Sequence, residues 1–136
     1  MTSQTETVQS IAADNDGGEF QFAVKPEDRT LLWTARHKCY YANIALVPNC
    51  RSVTTDVCVP TSALPTLVVQ TKEDIMNNGL VGPIVGHVGD GNFHSMLLFD
   101  PNNQDEWAKC KMVADRMAKR ALDLGGTYVL SGAIAT

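Results

Sequence analysis

An Asp90-Gly91 pair between two apolar runs places the strongest constraint on the fold of this chain. The runs cover residues 83–88 and 93–99, and an Asp-Gly pair between such runs predicts a tight antiparallel hairpin. With a two- or four-residue loop centred on this pair, His87 directly faces His94 on the neighbouring strand. Directly opposed residues share one face of a sheet, with Cβ atoms about 4.5–5.5 Å apart. The pattern therefore predicts a hairpin that holds two imidazoles side by side.

The remaining hydrophobic patterns predict helices and strands that alternate along the chain. Helices are indicated before Asn15, from Pro26 to Pro48, over 61–79 with Thr61 or Ser62 as the cap, and over 100–126. Two further strands are indicated over 19–24 and 52–59. The helix from Pro26 has an apolar stripe of Leu32, Ala35, Cys39, Ala42 and Ala45 or Leu46, and the last helix has one of Trp107, Cys110, Ala114, Met117, Ala118 and Ala121. We predict an α+β fold with helices packed on one face of a mainly antiparallel sheet.

Length and charge narrow the functional classes. The chain has 136 residues, which suits one domain, and a net charge of −4 with no cluster of its 11 basic residues, which argues against a nucleic-acid surface. No apolar run reaches the roughly 20 residues of a membrane span, and the polar start of the chain resembles neither a signal nor a transit peptide. The four cysteines have irregular spacing, so we expect reduced thiols.

The two hairpin histidines have two open interpretations. They can bind one divalent metal through bonds of about 2.0–2.1 Å, or they can simply stack or hydrogen-bond. A third ligand would come from Asp56, Asp90 or Cys58, and no spacing singles one of them out. A calcium loop is disfavoured because the turn offers too few oxygen ligands. Arg36 in the preceding helix either clamps a carboxylate or is a solvated surface residue.

Four ordered segments resemble one enzyme family. They are "LWTARHKCYYANIAL" (32–46), "TTDVCVP" (54–60), "GHVGDGNFH" (86–94) and "RALDLGGT" (120–127). Together they resemble the C-terminal domain of the FAD-linked D-lactate dehydrogenases (cytochrome type) and glycolate oxidases, within the vanillyl-alcohol oxidase superfamily. The resemblance runs from about residue 20 to residue 127.

The resemblance implies a function and assigns roles to residues. In the family, D-lactate or a similar small 2-hydroxy acid is oxidised by hydride transfer to FAD, and an acceptor such as cytochrome c removes the electrons. His87 and His94 then bind a divalent metal, Zn or Mn, and Arg36 binds the substrate carboxylate. Thr54 stands where the hydroxyglutarate enzymes have a lysine, which favours a monocarboxylate substrate over a dicarboxylate. The family resemblance implies a mitochondrial location.

The end of the chain departs from the family pattern. Relatives follow the "GGT" motif with a Gly-Glu-His-Gly segment that supplies the third metal ligand and a candidate base. Ser131 and Gly132 stand at those two positions here, so no catalytic residue is assigned. We therefore expect residues 1–127 to be an incomplete C-terminal domain, 128–136 to be an aberrant tail, and the main flavin-binding domain to lie outside this chain. The chain alone is expected to be inactive; the alternative is a non-enzymatic short form that binds a divalent metal or a partner subunit.

Overall fold

The computed structural model describes residues 3–19 and 22–131. The chain divides into two compact units, Met1–Lys38 and Cys39–Thr136. The described elements, in chain order, are α1 (Gln4–Asp14), α2 (Pro26–Ile44), β1 (Arg51–Cys58), α3 (Leu64–Asn77), β2 (Ile84–His87), β3 (Asn92–Phe99), α4 (Gln104–Asp123) and β4 (Thr127–Ser131).

Helix α1 and most of α2 lie in the first unit, and α2 continues across the boundary into the second. Helix α1 begins with a capping box, in which the Ser3 hydroxyl accepts from the Glu6 N–H and the Glu6 carboxylate accepts from the Ser3 N–H. Helix α2 begins at Pro26 as predicted, since proline suits the first helical turn. None of the residues of α2 is buried, so the stripe predicted for it does not form a core in this structure.

The strand predicted over residues 19–24 is wrong in the part that the structure describes. Residues 22–24 form no strand, and Phe20 and Gln21 lie outside the described residues. The alternation of apolar and polar residues that favoured a strand is a local signal. A strand also needs a neighbouring strand to hydrogen-bond with, and the sheet formed by the described residues does not include residues 22–24.

The sheet lies in the second unit and is antiparallel throughout, in the order β2-β3-β1-β4. Side chains of successive strand residues point to opposite faces. On β1 and β3 the odd-numbered residues pack against α3 and α4, and the even-numbered residues occupy the other face. This arrangement confirms the predicted α+β fold with helices on one face of an antiparallel sheet.

Two apolar clusters between the sheet and the helices form the core. One joins Val53 and Leu97 to Ile75 of α3 and Val113 of α4. The other surrounds Phe93 and comprises Val57, Val59, Leu64, Leu67, Met117 and Ala121. The predicted stripe of α4 is confirmed, with Trp107 partly buried and the other five residues buried.

The starts of two helices differ from the predictions, and one strand was not predicted. Helix α3 begins after Ala63, which makes no side-chain cap, so neither Thr61 nor Ser62 caps it. Helix α4 begins at Gln104 rather than near Asp100, because the Asn103 side chain accepts from the N–H groups of the first turn. Strand β4 was not predicted, although Tyr128-Val129-Leu130 is a β-favouring run, and it pairs with β1.

Two properties of the described chain bear on its class. No helix in the described ranges is long and apolar enough to cross a membrane. All four cysteines are free thiols, as predicted. Burial, with a smaller effect of the Glu106 charge, raises the pKa of Cys110 to about 11, so this thiol stays protonated and unreactive at neutral pH.

A charged cluster joins the two helices that cover the sheet. The Asp74 carboxylate of α3 is nearly buried and accepts from Arg116 Nε and Arg120 Nη1 of α4, each at 2.8 Å. Burial alone raises the pKa of Asp74, but the hydrogen bonds and charges of the two guanidinium groups outweigh it and lower this pKa. The cluster therefore fixes α3 against α4 on the face of the sheet that carries the core.

Replacing Asp74 with asparagine should lower the free energy of unfolding by about 2–3 kcal/mol at neutral pH, because both arginines lose a charged partner. The pKa of Asp74 is lower in the folded state than in the unfolded state. Its contribution is therefore fully present above the unfolded value of about 3.9 and is lost as pH falls through the folded value. Urea unfolding at neutral pH and near pH 3 should show the variant and the wild type converging on acidification. Asp115→Asn, an exposed acid on α4, is the matched control and should change little.

Candidate functional site

The hairpin of β2 and β3 carries both candidate metal ligands. The ladder pairs His87 with Asn92 and Val85 with His94, so the two histidines are diagonal neighbours. The predicted direct pairing of His87 with His94 is wrong, because the loop is centred one residue earlier than assumed. Diagonal residues two positions apart still share a face. The predicted placement of both imidazoles on one face is therefore confirmed.

Gly91 explains why the register differs from the prediction. The loop is a 3₁₀ turn over Val88–Asp90 that ends at Gly91, whose φ of 67° lies in the left-handed region. Its carbonyl accepts from the Val59 N–H at 2.9 Å, and a Cβ at this position would overlap the Val59 carbonyl oxygen. Gly91 is therefore the last residue of a four-residue loop over residues 88–91 and not the second residue of a two-residue turn. This contact ties the loop to the end of β1.

The two imidazoles contact each other on the face of the sheet opposite α3 and α4. Their ring centres lie 5.5 Å apart and the ring planes are inclined by 87°. Both side chains are half-buried. Two imidazoles that bind one tetrahedral ion through bonds of about 2.0–2.1 Å have ring centres roughly 5 Å apart. The separation of the ring centres is thus close to that of two imidazoles on one ion, whereas the perpendicular ring planes are those of an edge-to-face contact, so binding one ion would require the rings to rotate.

Asp56 of β1 lies next to this pair. Its Oδ1 is 3.5 Å from His94 Nδ1, and β1 pairs Asp56 directly with His94. The Asn92 amide donates through Nδ2 to the same carboxylate oxygen at 2.6 Å and to the Val57 carbonyl at 3.0 Å. These four side chains, His87, His94, Asp56 and Asn92, are called the hairpin cluster below. Asp56 was one of three candidates from the sequence, whereas Asn92 was not singled out.

The other candidate third ligands are placed less favourably. Asp90 is exposed in the 3₁₀ turn, and its main-chain carbonyl accepts from the Cys58 thiol at 3.4 Å. Cys58 follows Asp56 on the same face of β1 and is exposed. In the described ranges no three His, Cys, Asp or Glu side chains are grouped so that they could hold a metal ion. The two histidines predicted from the sequence as metal ligands do contact each other within these ranges.

Strand β4 brings the end of the described chain beside the cluster. Val129 pairs with Asp56, and Ser131 pairs with Thr54, two residues earlier on β1. Position 131 is where the family resemblance places a third metal ligand. Its backbone therefore lies on the strand next to the one that carries Asp56. Gly132, the other position singled out there, lies outside the described residues.

Arg36 belongs to the first unit and is not among the residues that the second unit brings together. It is exposed on α2 and lines an open groove with Arg29, Leu32 and Trp33. Trp33 also stacks on His37, with ring centres 6.0 Å apart. Two guanidinium groups beside apolar side chains form a surface that suits a small carboxylate.

A match to a family of FAD-linked oxidases gives the class of domain to which this chain belongs. Residues 1–129 match the family "FAD linked oxidases, C-terminal domain", and the chain belongs to this family. A probable mitochondrial D-lactate dehydrogenase of Danio rerio is 46% identical over 127 residues, which are 93% of this chain and 26% of that protein. The mitochondrial D-lactate dehydrogenase (cytochrome) of Arabidopsis thaliana is 36% identical over 91% of this chain and 22% of that protein.

A more distant relative belongs to the other group that the motifs resembled. The glycolate oxidase subunit GlcD of Bacillus subtilis is 27% identical over 90% of this chain and 26% of its own length. The chain thus spans about a quarter of the length of the curated relatives it matches. These matches confirm the family resemblance that the four motifs indicated.

Proposed function

We propose that this chain forms the metal- and substrate-binding part of a FAD-dependent D-2-hydroxyacid dehydrogenase that oxidises D-lactate to pyruvate. The observation that carries the proposal is the histidine pair of the hairpin cluster, whose ring centres lie 5.5 Å apart on one face of the sheet. The family supports FAD as the cofactor, and the names of several relatives support D-lactate as the substrate.

In the proposed reaction the cofactors supply the chemistry, and residues of the protein hold the metal and the substrate. D-lactate loses a hydride from C2 and a proton from its hydroxyl group, which yields pyruvate. FAD, when bound, would accept the hydride, and a divalent metal would favour loss of the hydroxyl proton. His87 and His94 would hold the metal, Zn or Mn, and so fix the substrate hydroxyl at the face of the sheet. No residue of the described chain is assigned as the base.

Arg36 is proposed to bind the substrate carboxylate. A guanidinium group can hold a carboxylate through two parallel hydrogen bonds, which fixes both its distance and its plane. The groove that Arg36 shares with Arg29 supplies a second cation beside apolar side chains. Thr54 on β1 carries no charge, which suits a monocarboxylate better than a dicarboxylate.

The names of relatives are also the basis for proposing an electron acceptor and a location. Relatives from Arabidopsis thaliana and Saccharomyces cerevisiae carry the words "cytochrome" and "mitochondrial" in their names. We propose cytochrome c as the acceptor of the electrons from the reduced flavin, and the mitochondrion as the location.

Removing either histidine should abolish metal binding. Mn²⁺ is the better probe, because the four free thiols would compete for Zn²⁺. We expect His87→Ala and His94→Ala each to weaken Mn²⁺ binding at least about 100-fold, since a lost ligand costs more than the 10–100-fold of a residue that only orients a ligand. Isothermal titration of the 136-residue chain measures this. His37→Ala, the exposed third histidine on α2, is the matched control and should bind like the wild type. Equal binding by all four proteins would remove the metal role.

Dye reduction tests whether the chain catalyses the reaction by itself. D-lactate, FAD, Mn²⁺ and an artificial acceptor are mixed with the chain, and we expect no turnover, because the chain spans only about a quarter of the length of its relatives. Turnover that disappears in His94→Ala would overturn this expectation and support an enzymatic role for the chain alone. Histidine-dependent Mn²⁺ binding without turnover is also what the alternative predicts, in which the chain binds a divalent metal or a partner subunit and does not itself catalyse oxidation.

A further inference from the structure

Asp56 is held in one position by contacts that do not involve His94. The Asn92 Nδ2 group donates at 2.6 Å to Asp56 Oδ1 and at 3.0 Å to the Val57 carbonyl of the same strand. Both acceptors are oxygens, so the orientation of the Asn92 amide follows from its partners. The carboxylate is thereby fixed to the main chain of β1, although nearly half of its side-chain surface is exposed to solvent.

The fixed carboxylate lies on the Nδ1 side of His94. The distance from His94 Nδ1 to Asp56 Oδ1 is 3.5 Å, slightly longer than the roughly 2.7–3.2 Å of an N–H···O hydrogen bond, so the two groups need to approach by a few tenths of an ångström to form one. A neutral imidazole carries one proton, and the partner of one nitrogen decides which nitrogen is left with a lone pair. A carboxylate accepts hydrogen bonds and cannot donate one, so it favours the proton on Nδ1.

We propose that Asp56, fixed by Asn92, is the positioning residue of His94: it accepts from Nδ1–H and leaves Nε2 of His94 to bind the metal. The metal half of this inference rests on the metal role proposed for His87 and His94. Carboxylate and histidine paired in this way orient the ring before the ion arrives and make the bound nitrogen more basic. The same tautomer preference is expected in the metal-free protein, because it depends on the Asp56–His94 contact and not on the ion.

The geometry favours a positioning role over direct ligation. The oxygen nearest to His94 already accepts the short bond from Asn92. The described residues also group no third acidic or thiol side chain with the two histidines in a way that could hold an ion. A ligand role for Asp56 is the competing outcome in the experiments below.

The first measurement is the tautomer of His94 in the metal-free chain. ¹⁵N NMR of the histidine side chains, about two pH units above the ordinary histidine pKa of about 6.5, reports which ring nitrogen carries the proton. We expect the proton on Nδ1 in the wild type and a shift toward Nε2–H in Asp56→Ala. Asp90→Ala removes a carboxylate from the adjacent loop and should leave the tautomer of His94 unchanged.

The second measurement is the Mn²⁺ affinity of the same variants. Asp56→Ala should weaken binding about 10–100-fold, as for other residues that orient a metal-bound histidine. Asn92→Ala keeps every charged group and frees the carboxylate, so it should weaken binding by a smaller factor in the same direction. Asp90→Ala controls for the loss of one negative charge and should stay within about twofold, since exposed charges are screened.

The two proposals fail in different ways. If the wild type binds no Mn²⁺ but His94 shows the Asp56-dependent tautomer, the metal role fails and the positioning role stands. If binding depends on both histidines while Asp56→Ala changes neither tautomer nor affinity, the metal role stands and the positioning role is overturned. If Asp56→Ala removes binding as completely as His94→Ala and leaves the tautomer unchanged, Asp56 is a ligand and the positioning role is again overturned.

Discussion

Gly91→Ala should destabilise the chain by about 3 kcal/mol or more. A non-glycine residue at a φ of 67° costs roughly 1–2 kcal/mol, and displacing a buried carbonyl from its hydrogen bond costs about 1–3 kcal/mol more. Here the added Cβ would overlap the Val59 carbonyl and separate the Gly91 carbonyl from the Val59 N–H. Urea unfolding followed by circular dichroism gives the free energy of unfolding directly.

Gly89→Ala is the matched control within the same loop. Gly89 has no positive φ, and a Cβ at this position meets no atom within 4 Å. Its substitution should change the free energy of unfolding by no more than about 0.5 kcal/mol. If the two variants unfold at the same urea concentration, the close approach of Gly91 to Val59 does not exist in solution. In the folded fraction of Gly91→Ala, Mn²⁺ binding should also weaken, since this contact sets the diagonal placement of His87 and His94.

The difference between the predicted and the observed hairpin shows which structural features a local sequence pattern can predict. The alternation of β3 predicted which residues share a face, because that depends only on the two-residue period of a strand. The loop depends on where Gly91 meets Val59, a residue 32 positions away, and no local pattern reports such a contact. The register was therefore wrong by two positions while the shared face of the two histidines was right.

The residues of the hairpin cluster show the same limit of local sequence patterns. The histidines could be singled out because imidazoles are scarce and both flank one turn. Asn92 could not, since its role appears only when β1 pairs with β3 and brings Asp56 within 2.6 Å of its amide. The start of α4 was predicted too early in the chain for a related reason. Asp100 and Asn103 both suit the start of a helix, and in the structure Asn103 is the cap. The packing of Trp107 on Phe99 depends on tertiary contacts that the local sequence does not show.

Phe93→Ala should lower the free energy of unfolding more than any other change in β3, by about 3–5 kcal/mol, and should leave the proposed metal ligands in place. Phe93 stands between Asn92 and His94, but its ring points to the opposite face and is only 1% exposed within the second core cluster. Deleting the ring leaves a cavity under the site. A domain of this size is stable by about 5–15 kcal/mol, so the variant loses a large part of its total stability. Phe93→Leu, which keeps most of the apolar volume, should cost much less.

Mn²⁺ separates this stability effect from a binding effect. An ion that binds only the folded state raises the free energy of unfolding by an amount set by its concentration relative to the dissociation constant. Saturating Mn²⁺ should therefore shift the urea midpoint of both the wild type and Phe93→Ala upward. His94→Ala should unfold near the wild-type midpoint without metal, because His94 is half-exposed, and should gain nothing from Mn²⁺. The contrary results are that Mn²⁺ raises the urea midpoint of His94→Ala or leaves that of Phe93→Ala unchanged. Either result would show that metal binding and stability do not depend on opposite faces of β3. The alternation of this strand would then no longer separate the proposed metal site on one face from the core on the other.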